Sequence, residues 1–255
     1  HKSIKMKKVI FAFLFSAITY GQSTIMLAMV LEEGKEDAYL NMEKNWQTVN
    51  ELAVEKGIIT QWSVWKRTPR EGDEGWAEYF VLIRRNAEQE KLNVNWKEVS
   101  YNAFKGKSRK IIDKMLSSQG KVKEMRSRTY KVSTTTGWRG LEWEIGDNAY
   151  FHYMTQKSQD FIAYETAIWK PIAQQRILDG YLKYWGISKL VDSNDATNNL
   201  KSNSTHIAFN FPTKKQNELE MTTPEDFLEN KSWEALINSR EMLPAEELTL
   251  VYSTF

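Results

Sequence analysis

Runs that are apolar on both faces alternate along this chain with longer stretches in which apolar residues recur every three or four positions. Residues 24–32 (TIMLAMVLE) form the first such run and end at the turn signal Glu33-Gly34. Tyr39, Met42, Trp46, Val49 and Ala53 follow at spacings of 3, 4, 3 and 4, a single helical stripe that Gly57 stops. Residues 58–66 and 76–84 (WAEYFVLIR) read as two strands flanking a charged hairpin loop at 69–75. Residues 88–124 read as interrupted helix with breaks at Gly106 and Gly120, and the alternating stretch 126–134 (RSRTYKVST) as a fourth strand. The order over 22–134 is thus β-α-β-β-α-β. After a linker at 135–147, in which Trp138 and Trp143 are candidates to pin the chain down, the same order is expected again. Strand 148–156, helix 158–179, strand 181–191 and the polar loop 192–204 lead to strand 206–211, a helix over 224–242 and a closing strand at 247–255.

The second series repeats the first at a constant offset of 123 residues. Asp37, Trp46, Gly57, Trp62 and Lys66 correspond to Asp160, Trp169, Gly180, Trp185 and Lys189 without a gap. Two β-α-β-β-α-β units imply two four-stranded antiparallel sheets, each with helices on one face. Because LAMVL and AYFHYM are apolar on both faces, each sheet needs a cover for its second side, and the other copy supplies it. The expected fold class is α+β, two tandem ferredoxin-like units closing into one barrel with helices outside. The paired Trp-x10-Gly-x4-Trp-x3-Lys segments, above all IWKPIAQQRILDGYLKYWGI, resemble the dimeric α/β-barrel superfamily in its duplicated single-chain form. That resemblance implies a fold shared by cofactor-independent monooxygenases, haem-handling enzymes, isomerases and stress-response proteins. No monooxygenase or haem-ligand motif maps onto this chain residue by residue, so the resemblance transfers no catalytic role.

Residues 1–21 change how the charge is read. Lys7 and Lys8 precede an apolar run of twelve, Val9 to Tyr20, which Gly21-Gln22-Ser23 closes. A basic start, a short apolar middle and small residues at the exit describe an export signal, and the run is shorter than the ~20 residues a membrane span needs. The expected product is exported, periplasmic or secreted, without a span of its own. The formal charge of +2 includes four lysines in this segment; without them 31 bases face 33 acids, a net −2. Nothing global then favours nucleic acid. The stretch 105–128 does hold nine bases against two acids, but no aromatic ladder accompanies it and it reads as a solvated helix face. With no cysteine and three histidines, thiolate chemistry and Cys-ligated metals are excluded, and no metal site is expected. Phosphate-cradling glycine loops, Gly-x-Ser-x-Gly and His-Glu-x-x-His are also absent.

The repeat acts as its own control, because chemistry specific to one copy should sit where the copies differ. Met29, Met42 and Ala53 of the first copy become His152, Glu165 and Arg176 in the second. Glu165 falls inside the apolar arc formed by Phe161, Tyr164, Ile168, Trp169 and Ile172, where a lone carboxylate would cost several kcal/mol. Arg176 lies three turns along the same stripe, roughly 16 Å away at 1.5 Å per residue. His152 and Glu165 are therefore the candidates for acid–base work. Glu165, Arg176, His152, Trp169 and Trp185 are the candidates for binding a small organic ligand between sheet and helices. Three structural readings stand beside these: a satisfied core histidine, a structural ion pair, and a helix-end cation next to Asp179. Trp46, Trp62, Trp169 and Trp185 recur in both copies and read as framework, Lys66 and Lys189 as solvated strand-end charges, and Pro171 should kink its helix just after Trp169. Three functions remain open. The leading one is an exported ligand-binding protein without a cofactor. The others are a cofactor-independent oxygenase or isomerase acting on an aromatic-type substrate, and haem handling with His152 or His206 as axial ligand. Self-association beyond the intrachain pairing is compatible with all three.

Overall fold

The computed structural model describes residues 22–72, 75–137, 143–194, 203–218 and 227–254. The expected export signal, Trp138 and most of the polar loop after Ser193 lie outside them. Strands are β1 (Ser23–Leu31), β2 (Gln61–Arg67), β3 (Tyr79–Arg85), β4 (Val122–Thr135), β5 (Asn148–Gln156), β6 (Leu182–Ser193), β7 (His206–Pro212), β8 (Arg240–Met242) and β9 (Glu246–Ser253). Helices are α1 (Glu36–Glu55), the single turn α2 (Ala87–Glu90), α3 (Trp96–Ala103), α4 (Arg109–Leu116), α5 over 161–178, and α6 (Phe227–Asn238). β4 begins four residues before the alternating pattern predicted. The helix expected over 224–242 ends at Asn238, because Arg240–Met242 pairs with β5 as β8.

Eight antiparallel strands close into a barrel in the order β7-β6-β4-β1-β3-β2-β9-β5, with β5 returning to β7. Within 23–135 the order is β4-β1-β3-β2, and within 148–253 it is β9-β5-β7-β6, the same arrangement. The seams are β2–β9 and β4–β6, so each stretch lends its second strand to the last strand of the other. A closed antiparallel α+β barrel of this kind fits a single-chain dimeric α/β barrel. It leaves no open edge on its eight closing strands.

Side chains fill the barrel. Trp65, Phe80, Tyr130, Phe151, Tyr153 and Leu248 are buried inside it, and the linker residue Trp143 enters beside them, its ring 5.2 Å from Trp65 and 4.2 Å from Phe211. Edge-to-face packing of this kind makes the interior a core rather than a pore. One seam also carries a buried charge cluster. Glu246, fully buried on β9, meets Arg67 of β2 at 3.2 Å and Arg70 at 3.0 Å, while Arg67 Nε donates to Ala77 O.

Outside the barrel each stretch packs its helices against its own strands. α1 buries Tyr39, Met42, Val49 and Ala53, with acidic Glu36 and Asp37 in its first turn where the helix dipole favours them. Gly57 reverses the chain at φ 67°, a conformation costly for other residues. Lys66 is not merely solvated: it pairs with Glu36 at 2.8 Å. In α5 the irregularity falls before Pro171, as a π turn over Glu165–Trp169 in which Lys170 N–H donates to Glu165 O. The proline ring crowds the carbonyl four residues back, Ala167, which lies within that turn, so the helix widens there and not after Trp169. Of the basic stretch, Lys105 and Lys107 are exposed, but Arg126 and Arg128 are buried near the barrel end, over the rings of Trp76 and Tyr153. No helix among the described residues is long and apolar enough to cross a membrane.

Candidate functional site

A cavity of about 590 Å³ lies between the outer face of β5–β7 and the helices α5 and α6. Its floor alternates with the barrel core. Phe151 and Tyr153 point inward, so Tyr150, His152 and Met154 point out into the cavity. Ala208, Asn210 and Trp185 complete the floor, and Trp169, Arg176 and Glu165 descend from α5. Trp233 and Ile237 of α6 close the far side, and Gln216 and Arg240 also line the space. Ligand pockets in general run from ~300 to 1,000 Å³ with apolar walls and a few convergent polar groups.

The three ionisable residues singled out in the sequence, His152, Glu165 and Arg176, all line this cavity. Glu165 opens the π turn, is 1 % exposed, and forms an ion pair with Arg240 Nε at 2.6 Å. Burial pushes its carboxyl up to about 7, with Arg240 pulling the other way and losing. His152 is held down at about 4, by burial first and then by Arg240 and Arg70, so the ring is neutral at physiological pH. Its buried Nδ1 finds no hydrogen-bond partner among the described residues, and neither does Gln216 Oε1. The Arg176 guanidinium sits 5.1 Å above the Trp169 ring, and burial lowers its proton affinity. Trp169 in turn leans on Trp233 at 5.6 Å. Trp185 is 1 % exposed, part of the floor and part of the packed layer beneath α5.

His206 stands elsewhere. It is buried, with Nδ1 2.9 Å from Thr205 Oγ1 and its ring edge-on to Phe161, and it does not line the cavity. Of the two histidines considered as haem ligands, only His152 lines the cavity. The described residues contain no group of three or more His, Asp or Glu able to hold a metal ion.

Why the second half is hollow follows from the register. Met29 lies opposite Tyr79 in the β1–β3 pair, and His152 lies opposite Ala208 in the β5–β7 pair. Ala208 therefore stands where the first half has Tyr79, whose ring packs 4.9 Å from Tyr39. At the offset of 123, Tyr39 corresponds to Ile162. In the first half Trp46 Nε1 donates to Leu116 O of α4, whereas its counterpart Trp169 faces the cavity. The sheet–helix space of 23–135 is filled with tyrosines and a methionine, and that of 148–253 is lined with charge and indole.

The pattern along the chain did not single out Arg240, Asn210, Tyr150, Gln216 or Trp233. Arg240 was hidden because 224–242 was expected to be helical throughout. It reaches Glu165 only because β8 pairs with β5.

No protein-family model matches this chain, and no curated protein matches it in sequence. Solved structures do. A candidate monooxygenase from Fusobacterium nucleatum superimposes with a TM-score of 0.52 at 10 % identity, covering 92 % of this chain and 94 % of its own. Another from Lactobacillus acidophilus superimposes at 0.55 with 8 % identity, covering 91 % and 95 %. The likeness is one of fold. At such identity it carries no residue role across.

Proposed function

We propose that this chain is an exported small-molecule-binding protein whose site is the cavity of its second half. The observation that carries this reading is the replacement of Tyr79 by Ala208 at the equivalent register position, which opens about 590 Å³ beside Glu165 and His152. That is roughly four times the ~150 Å³ that admits a benzene into an apolar protein cavity. We further infer that residues 22–134 and 148–255 are duplicated ferredoxin-like units joined by 135–147, the first acting as scaffold. The identical strand order supports this, as the lysine-led apolar segment 1–21 supports export.

The test is a neutral reporter, 1-naphthalenemethanol, titrated against the intrinsic fluorescence of Trp169, Trp185 and Trp233. Saturable quenching is expected in the wild type and none in Ala208→Tyr, which restores the first half's filling. Binding unchanged in a folded Ala208→Tyr variant would refute the assignment. If instead added haem gave a Soret band that vanished in His152→Ala, the haem reading would replace it.

A second reading is enzymatic: a cofactor-independent oxygenase or isomerase with Glu165 as general base. What favours it is a carboxylate in a ring-lined cavity whose proton affinity burial has moved near neutrality, where proton transfer is most efficient. The fold likeness to two candidate monooxygenases is compatible with it. Turnover abolished in Glu165→Gln, with ligand binding retained, would establish it over binding alone.

A further inference from the structure

Recognition in this cavity falls on its uncharged polar groups, because the charged ones already have partners in the protein. Arg240 pairs with Glu165 at 2.6 Å and donates from Nη1 to Leu236 O, and Arg176 lies over Trp169. The uncharged groups stand in line. Asn210 lies directly opposite Tyr150 across the β5–β7 pair and directly opposite Trp185 across the β6–β7 pair. All three line the cavity, so one rung of three strands carries a phenol, a carboxamide and an indole. At ~4.8 Å between strands the rung spans about 10 Å, enough to read the edge of a two-ring compound. None of these three side-chain polar groups hydrogen-bonds to another described residue, and Trp185 meets Thr135 and Thr136 through its backbone alone. Burial first, and then Glu247, push the Tyr150 hydroxyl up, so it stays a protonated donor. The matching rung of β1, β3 and β2 is Leu27, Val81 and Val64, apolar throughout and packed beneath α1. The fold therefore does not require hydrogen-bonding groups at these positions.

Resting on the reading of this cavity as the binding site, we propose that its ligand is an uncharged two-ring lactam, its N–H donating to Asn210 Oδ1 and its C=O accepting from Asn210 Nδ2. A carboxamide presents an acceptor beside a donor, and a cyclic amide is the edge that answers both at once. The Tyr150 hydroxyl and the Trp185 indole N–H flank the carboxamide as further donors for the carbonyl, which has two lone pairs. Trp169 and Trp233 supply the apolar wall for the rings. A charged ligand would have to displace the Glu165–Arg240 pair or stay unpaired itself. An all-carbon ring would cover the rung and leave its polar groups unsatisfied, which is costly in a dry site.

The test compares 2-quinolone with N-methyl-2-quinolone, which keeps the rings and the carbonyl and loses the donor. Calorimetry at neutral pH should show 2-quinolone binding about tenfold or more tighter, the scale of one hydrogen bond whose buried partner would otherwise go unpaired. 3-Methyl-2-quinolone carries the same extra methyl with the donor intact and should bind within about threefold of 2-quinolone. Asn210→Val, which installs the residue of the matching rung, should bring 2-quinolone and its N-methyl form within about twofold of each other; Asn210→Ala is the second variant, with the same expectation. Equal affinities for these two quinolones in the wild type overturn the lactam and leave the cavity assignment standing, and so does 3-methyl-2-quinolone binding as weakly as the N-methyl form. A preference that persists in the folded Asn210 variants overturns the reading of that rung. Tighter binding of 1-naphthoate or 1-naphthylmethylamine than of 2-quinolone overturns an uncharged ligand. Binding of no probe, 1-naphthalenemethanol included, overturns the cavity assignment itself.

Discussion

Glu165→Gln also separates two opposite accounts of the buried pair through stability alone. If the ion pair with Arg240 dominated, the folded state would hold the Glu165 proton less tightly than the unfolded chain does. Burial makes it the reverse, raising the carboxyl from 4.5 to about 7. At ~1.4 kcal/mol per pH unit this is about 3 kcal/mol of ionisation cost in the folded protein. The sign follows from proton binding. Between pH 4.5 and about 7 the folded state keeps a proton that the unfolded chain has released, so wild-type stability falls as pH rises through this window. Glutamine has no such loss. The stability of Glu165→Gln minus that of wild type should therefore climb by about 3 kcal/mol between pH 4.5 and 7.5. With a urea slope of ~3 kcal/mol/M, that is a relative midpoint shift of about 1 M. Glu43, also pushed up to about 7 by burial, loses stability equally in both proteins and cancels from the difference. Removing Arg240's counter-ion adds an offset that does not alter the slope. Urea unfolding followed by tryptophan fluorescence at intervals of half a pH unit is the measurement. A flat difference, or one that falls with rising pH as a dominant ion pair requires, would refute the reasoning.

Two further variants test the frame that holds the cavity. Glu246→Ala removes a buried carboxylate that pairs with Arg67 and with Arg70 at the β2–β9 seam, and should cost about 3–5 kcal/mol in urea unfolding; a cost below about 1 kcal/mol would mean that the seam does not depend on this cluster. Gly186→Ala places a methyl 2.5 Å from Tyr184 Oη and 3.1 Å from Thr135 Oγ1 at the β4–β6 seam, and should lower stability by about 1–3 kcal/mol, read as a drop in Tm.

Particular residues show how far the chain could be read unaided. The stripe Tyr39-Met42-Val49-Ala53 is visible in sequence and is the buried face of α1, because helical periodicity is a local property. Glu165 stood out as a charge inside an apolar arc for the same reason. The need for a second cover on each sheet was legible from LAMVL and AYFHYM, and the closed α+β barrel satisfies it. Ala208 carried no signal at all. Its meaning depends on the β5–β7 register that sets it opposite His152, where the β1–β3 register sets Tyr79 opposite Met29. His206 looked equivalent to His152 as a candidate and is not, since β7 turns it toward Phe161 and Thr205 instead of the cavity.

Sequence by itself determined the offset of 123 at which Trp46, Gly57, Trp62 and Lys66 recur, which faces are apolar, and the ionisable residues His152, Glu165 and Arg176 that stand at that offset from Met29, Met42 and Ala53. Those are matters of residue identity and short-range period. Tertiary structure alone decided that these three side chains line one space, that Ala208 leaves that space open, and that β8 carries Arg240 to within 2.6 Å of Glu165. The reason is physical: 75 residues separate Glu165 from Arg240, and contacts at that range arise from strand pairing and packing that no local pattern encodes.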